Sequence, residues 1–246
     1  MVAFKDTVRL LKKTYQGQDP TASSSDPDSF GDQQHEGASS RNKGAMVLIR
    51  MTLSTPSVWL LCTFFLFYLG STVTISGWIV EFLYEARHGV LSKVGYVPAG
   101  FNGGCLLGRI LLAEPTHRFG ERRVVFIYCL LALALQLVFW LVPDIIAASI
   151  AVSFIGFFTG PLFATGISLG AKLFPEEIQS TALALVFVFA QMGGAIFPVI
   201  TGVLSSNTGV KVLQPILVAL LLATGISWLL VPRPKSVAGN SGLHQE

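Results

Sequence analysis

From residue 55 to residue 232 the chain is apolar almost without interruption, whereas residues 1 to 50 are polar. Short polar breaks divide the apolar part into six segments, at 57–83, 94–114, 124–142, 145–171, 180–204 and 213–231. At about 1.5 Å of helical rise per residue, each is long enough to cross about 30 Å of hydrocarbon. Membrane strands would need only about ten residues and would alternate in polarity, and these segments do not alternate. The pattern predicts an all-α membrane protein, a six-transmembrane-helix bundle over residues 55–235. It is preceded by a cytoplasmic arm over 1–54 and followed by a tail over 236–246.

Within the arm, Phe4, Val8, Leu11 and Tyr15 recur at helical spacing among Lys5, Arg9, Lys12 and Lys13. That is a short basic amphipathic helix. It suits either an anionic membrane surface or a loop helix, and Asp6 argues against a third reading as a presequence. Residues 16–46 are rich in Ser, Gly, Asp, Gln and Pro, with almost nothing apolar to offset the entropy of ordering, and read as a linker.

Charge changes the picture mainly by where it falls. Charged residues make up 13% of the chain and mean hydropathy is +0.62, against about 25% charged in soluble domains. A soluble enzyme is excluded, and a net charge of +3 dispersed among loops does not suggest nucleic-acid binding. One side collects Lys5, Arg9, Lys12, Lys13, Arg41, Lys43, Arg50, Arg118, Arg122, Arg123, Lys172, Arg233 and Lys235, and the other Arg87, Lys93 and Lys211. The positive-inside rule then puts both termini in the cytoplasm. Cys62, Cys105 and Cys129 all lie in apolar segments and imply no disulfide framework.

Glycine separates the segments. The first, second, fourth and fifth are glycine-rich, with G-x-x-x-G at Gly104/Gly108, Gly156/Gly160 and Gly166/Gly170, while the third has none and the sixth has only Gly225. Small residues allow close helix approach, so those four are expected inside and the third and sixth outside, facing lipid. Pro161 and Pro198 fall within the fourth and fifth segments, and broken helices often border transport sites.

The run Gly108-Arg109-Ile-Leu-Leu-Ala-Glu-Pro-Thr-His117-Arg118-Phe119-Gly120-Glu121-Arg122-Arg123 resembles the second, degenerate copy of the major facilitator superfamily loop motif G-x-x-x-D-R-x-G-R-R. Ala113 stands where its first glycine would lie and His117 where its aspartate would lie, so the loop's charge relay is not carried over. Residues 55–235 are similar to the C-terminal six helices of such a transporter, one half of the major facilitator fold, and residues 1–54 to its central loop. The runs Tyr68 to Trp78 and Gly100 to Arg109 are similar to fungal fucose-permease-like members. The resemblance implies a secondary transporter moving a sugar-like or other small polar solute by alternating access. An acidic residue is common near Thr72 in that group and is absent here. Plasma membrane is the location the resemblance implies.

Candidate chemistry follows from depth in the membrane. Arg109 lies roughly 21 Å along the second segment from its outer end, where lipid exposure costs about 2.5 to 3.5 kcal/mol, so it must face protein or water. It either holds a cytoplasmic gate or binds an anionic solute group. Arg118, Gly120, Arg122 and Arg123 form a loop able to exchange partners as a latch, or simply set topology. Thr72, Asn102, Thr159 and Gln191 are pathway candidates that could equally form interhelical hydrogen bonds. Trp78 could stack on a sugar or anchor at the interface. Glu81 is the best coupling carboxylate in the chain, or else a solvated rim charge. No metal ligand set or cofactor motif is present. The four histidines lie outside the predicted membrane core, so Gly166-Ile167-Ser168 and Gly225-Ile226-Ser227 lack the base that a serine hydrolase needs. Lys93-Val94-Gly95-Tyr96-Val97 departs from a potassium filter at both ends.

A complete pathway needs two six-helix bundles. The expected partners are therefore the bilayer, a small solute, and a missing N-terminal six-helix half or a second copy. The alternative is a half-length, non-transporting fragment or regulatory partner.

Overall fold

Pro56 starts the first long helix, because its fixed φ suits the first turn and its missing N–H would have no intrahelical partner there. The computed structural model describes residues 48–232, and the amphipathic helix, linker and tail expected from the sequence lie outside them. The chain divides into two units, residues 1–46 and residues 47–246, and the described residues belong to the second.

After a helical stretch over 48–54, α1 spans Pro56–Glu85. It is followed by the single turn α2 (Leu91–Val94), α3 (Val97–Leu111), α4 (Ala113–Phe119), α5 (Glu121–Leu141) and α6 (Ile145–Leu173). Then come α7 (Glu176–Thr208), a 3-10 turn (Val210–Val212) and α8 (Leu213–Leu230). Among the described residues there are no strands. Five helices, α1, α5, α6, α7 and α8, are long and apolar enough to cross a membrane. Where the sequence predicts a sixth continuous segment at 94–114, α3 stops after 15 residues and α4 restarts beyond Leu112.

Local signals set several boundaries. Asp144 caps α6, accepting from the Ala147 amide at 2.8 Å. Gly120, at φ 92°, provides the left-handed turn that separates α4 from α5.

Two seams bring backbones into contact. A methyl group at Gly104 or Gly108 would strike the backbone of Ser153 or Phe157, and one at Gly156 or Gly160 that of Phe101 or Cys105. Partner numbers rise together, so α3 and α6 run parallel. In the second seam α1 and α7 are also parallel, with Gly193 against the Leu66 backbone, Gly70 against the Phe197 ring and Gly202 against Trp78. Gly166 meets Phe65 and Gly170 meets Leu61, so α1 is antiparallel to α6 and hence to α3.

The apolar core has two layers. One gathers Leu61, Phe64, Phe65, Tyr68, Val125 and Trp228; the other gathers Ile79, Phe82, Phe101, Phe139, Ile155 and Leu217. On α1 they are separated by Ser71 and Thr74, whose hydroxyls donate back to the Tyr68 and Gly70 carbonyls. Between α5 and α8, the fully buried Gln136 donates its amide to Gln214 Oε1 at 2.7 Å. Gln136 Oε1 and Gln214 Nε2 remain without a hydrogen bond.

The inside and outside assignment needs correction. The fifth predicted segment, α7, is the least buried span, with 17% of its most apolar window enclosed against 56% in α1. The third and sixth, α5 and α8, reach 39% and 44%. Glycine marks where backbones touch and does not enclose the rest of a helix. The remainder of α7 exposes Val188, Val199 and Val203, whereas α8 buries Leu213, Leu217 and Trp228.

Candidate functional site

α1 and α3 touch only lightly and leave a cavity of about 560 Å³ between them, closed on one side by Phe163 of α6. α1 contributes Tyr68, Thr72 and Ser76, four residues apart and therefore on one helix face, beside Leu69, Val73 and Gly77. α3 contributes Phe101, Asn102, Cys105 and Arg109. α3 can present this face because its glycine face is committed to α6.

Hydrogen bonds fix the walls. Tyr68 donates its hydroxyl to the Thr159 carbonyl at 3.1 Å, joining α1 to α6 just before Pro161. Thr72 donates to the carbonyls of Tyr68 and Leu69, each at 3.1 Å, and Asn102 Nδ2 donates to the Pro98 carbonyl at 2.8 Å. Arg109 Nε donates to the Gly160 carbonyl at 3.2 Å. Pro161 lacks an N–H, which frees the Phe157 carbonyl, and that oxygen is the atom against which Gly108 packs. Around Pro161, α6 thus presents the Phe157, Thr159 and Gly160 carbonyls to Gly108, Tyr68 and Arg109.

Arg109 also borders a second, smaller cavity of about 90 Å³, with Thr116, Glu121, Pro161, Thr165 and Ser168 among its lining. It stands between the two spaces. On the far side, Glu121 engages Lys172 Nζ and has Ser168 Oγ at 3.5 Å.

Of the pathway candidates, the cavity brings together Thr72 and Asn102, along with Arg109. Thr159 is buried behind the wall, its hydroxyl returned to the Ile155 carbonyl at 2.8 Å. Trp78 donates Nε1 to the Pro198 carbonyl at 3.2 Å and lies over Gly202, stapling α1 to α7. Gln191 is exposed on α7 and Glu81 is exposed near the end of α1, both away from the cavity lining.

The loop candidates separate as well. Arg118 pairs with Glu114 at 2.9 Å, both side chains more than 70% exposed. Arg122 Nη2 donates to the Leu229 carbonyl while its own carbonyl accepts from Trp228 Nε1 at 2.9 Å, which ties the start of α5 to the last turn of α8. Arg123 is exposed. At the opposite end, Arg87 lies 5.5 Å and 5.1 Å from the Phe82 and Phe139 ring centroids and donates to the carbonyls of Phe139 and Asp144. Burial lowers its pKa and the Asp144 carboxylate opposes that shift.

The sequence pattern did not single out Tyr68, Ser76, Cys105, Phe101 and Phe163 as lining residues. The spacing of Tyr68, Thr72 and Ser76 was the available signal for two of them. Among the described residues, no three His, Cys, Asp or Glu side chains group as a metal site.

Residues 37–245 match the family profile described as the Major Facilitator Superfamily. Bypass of stop codon protein 6 of Saccharomyces cerevisiae is 25% identical over 222 residues, covering 86% of this chain and 44% of that protein. The MFS transporter asaE of Aspergillus flavus is 28% identical over 116 residues, covering 46% of this chain and 26% of that protein. This chain therefore spans less than half the length of these curated relatives. Among solved structures, the E. coli fucose:proton symporter FucP superposes with a TM-score of 0.66 at 17% identity, covering 76% of this chain and 45% of that one. A FucP structure in the outward conformation gives a TM-score of 0.64 at 18% identity, covering 74% and 45%. At that identity the likeness shows the fold.

Proposed function

Because the chain belongs to the Major Facilitator Superfamily, we propose that it forms one bundle of a secondary transporter that moves a small polar organic solute by alternating access. The observation that carries this is the cavity between α1 and α3. It is polar along the Tyr68, Thr72, Ser76 and Asn102 stripes, apolar elsewhere, and sized for a small molecule at about 560 Å³.

In this reading α3 and α4 together make a sixth, broken span, and both termini lie in the cytoplasm, as the Lys and Arg distribution supports. The plasma membrane is the proposed location. Arg109 serves as the gate between the two cavities, anchored to the Gly160 carbonyl on α6. When the bundle rocks, its charge moves toward Glu121, and Lys172 must then release that carboxylate. Gly120 gives the loop its hinge. Trp78 keeps α1 and α7 moving as one body. The role assigned is transport, without catalysis.

A pathway of two bundles requires an N-terminal six-helix half or a second copy as partner. The second reading is a half-length partner that does not transport. Intact-mass measurement on native membranes, followed by solute uptake into sealed vesicles, separates the two. A species near twice 26.5 kDa with uptake that falls in Arg109→Gln supports the transporter. A species of 26.5 kDa without uptake supports the partner.

A further inference from the structure

The transport reading leaves the solute's class open, and the hydrogen-bond inventory of the cavity narrows it; the inference rests on that reading. Around the cavity most neutral donors are already committed. The Tyr68 proton goes to the Thr159 carbonyl, the Thr72 proton to carbonyls of its own helix, and one Asn102 amide proton to Pro98. The Tyr68 oxygen faces Arg109, while Thr72 and Asn102 keep mainly oxygen lone pairs for a solute and therefore favour one that brings O–H or N–H donors.

Arg109 is the reverse. A guanidinium has five N–H donors and no acceptor; Nε donates to the Gly160 carbonyl and the side chain also meets the Tyr68 hydroxyl, which leaves further donors for a solute. No Asp or Glu lines the cavity. Glu121, across the smaller cavity, is held by Lys172. Arg109 is exposed and borders the cavity beside Leu69, Phe101 and Phe163, so its guanidinium is accessible to a solute. A carboxylate can take its remaining donors in the planar, two-point geometry a guanidinium favours, which the hydroxyls of a neutral sugar match less well. Along α3, Asn102 and Arg109 stand about 10 Å apart. The cavity therefore has a cationic donor at one end and acceptors toward the other.

We infer that the solute is a hydroxylated organic carboxylate, bound with its carboxylate on Arg109 and its hydroxyls donating toward Thr72 and Asn102. Arg109 is thereby a specificity-determining residue as well as a gate.

Cys105 on the cavity wall provides the test, because Cys62 and Cys129 are buried in the core and serve as internal references. Membranes carrying the full chain are treated with N-ethylmaleimide, and alkylation of each cysteine is followed by peptide mass spectrometry. Lactate, malate, gluconate or galactarate is added, with glucose and mannitol as neutral counterparts. At least one carboxylate should slow Cys105 alkylation several-fold while both neutral polyols leave it unchanged. Arg109→Gln should raise the half-protecting concentration at least about tenfold, with Arg109→Lys in between. The reference cysteines, still unreactive in both variants, report that the bundle is folded. Protection by a neutral polyol equal to that of its acid, protection that survives Arg109→Gln, or failure of every carboxylate to protect overturns the inference. Labelled gluconate and glucose uptake is measured alongside. Glucose uptake with no carboxylate protection removes the anion assignment and leaves transport standing, whereas carboxylate protection without uptake keeps the binding site and removes transport.

Discussion

The two faces of α3 differ in kind. One lies against α6 through Gly104 and Gly108, backbone on backbone, with no side chain between. The other turns Asn102, Cys105 and Arg109 to a cavity that α1 does not fill. In a chain this apolar, the open face cannot be explained by a shortage of hydrophobic material. It persists because polar groups occupy it, and the tight face is what allows one short helix to hold them in register.

The sharpest way to break the comparison is within a single dipeptide. Gly104→Leu should prevent α3 from seating on α6, because even its Cβ would overlap the Ser153 backbone. A loss of about 3 kcal/mol or more is expected, seen as collapse of folded yield and thermal stability in detergent. Next comes Arg109→Gln, which should lower solute uptake at least about tenfold while the melting temperature changes little, since the side chain is exposed and meets the fold only at the Gly160 carbonyl and the Tyr68 hydroxyl. Tyr68→Phe removes the link to the Thr159 carbonyl and should cost about 1 kcal/mol of stability, read as a lower denaturation midpoint. Gly103→Ala, beside the intolerant glycine, faces open space and should stabilise by up to about 1 kcal/mol through helix propensity. Arg118→Ala, at an exposed pair, should change stability by less than about 1 kcal/mol. Should Gly103 and Gly104 respond alike, the two-faced account of α3 fails.

The fold was legible in the sequence because membrane segments are written as long apolar runs, and the boundaries of α1, α5, α6 and α8 fall within a few residues of the pattern. The break at Leu112 was missed although its signal is present: Pro115 has no N–H to donate to the Leu111 carbonyl four residues back. Glycine correctly located the seams but misled about burial, because a helix such as α7 can press one narrow stripe against α1 and expose the rest. For the candidate site, depth along a helix found Thr72, Asn102 and Arg109. Depth cannot say which way a residue faces, so Gln191 and Thr159 were grouped with them. Trp78 illustrates a different limit. Its partner, the Pro198 carbonyl, is 120 positions away, a distance no local pattern bridges.

The buried Gln136 and Gln214 bear on how α5 and α8 find one another. Away from the Arg122 and Trp228 hydrogen bonds at the other end, both helices are apolar surfaces on which neighbouring alignments would have similar energies. A slide of one turn, about 5.4 Å, would part the two amides and strand each in hydrocarbon. Their contact, deep in the bundle, thus works with the Arg122 and Trp228 bonds as an index mark during assembly, selecting one alignment among many that greasy packing alone would leave nearly equivalent. It does so while leaving an oxygen and an amide nitrogen unmatched inside the finished bundle.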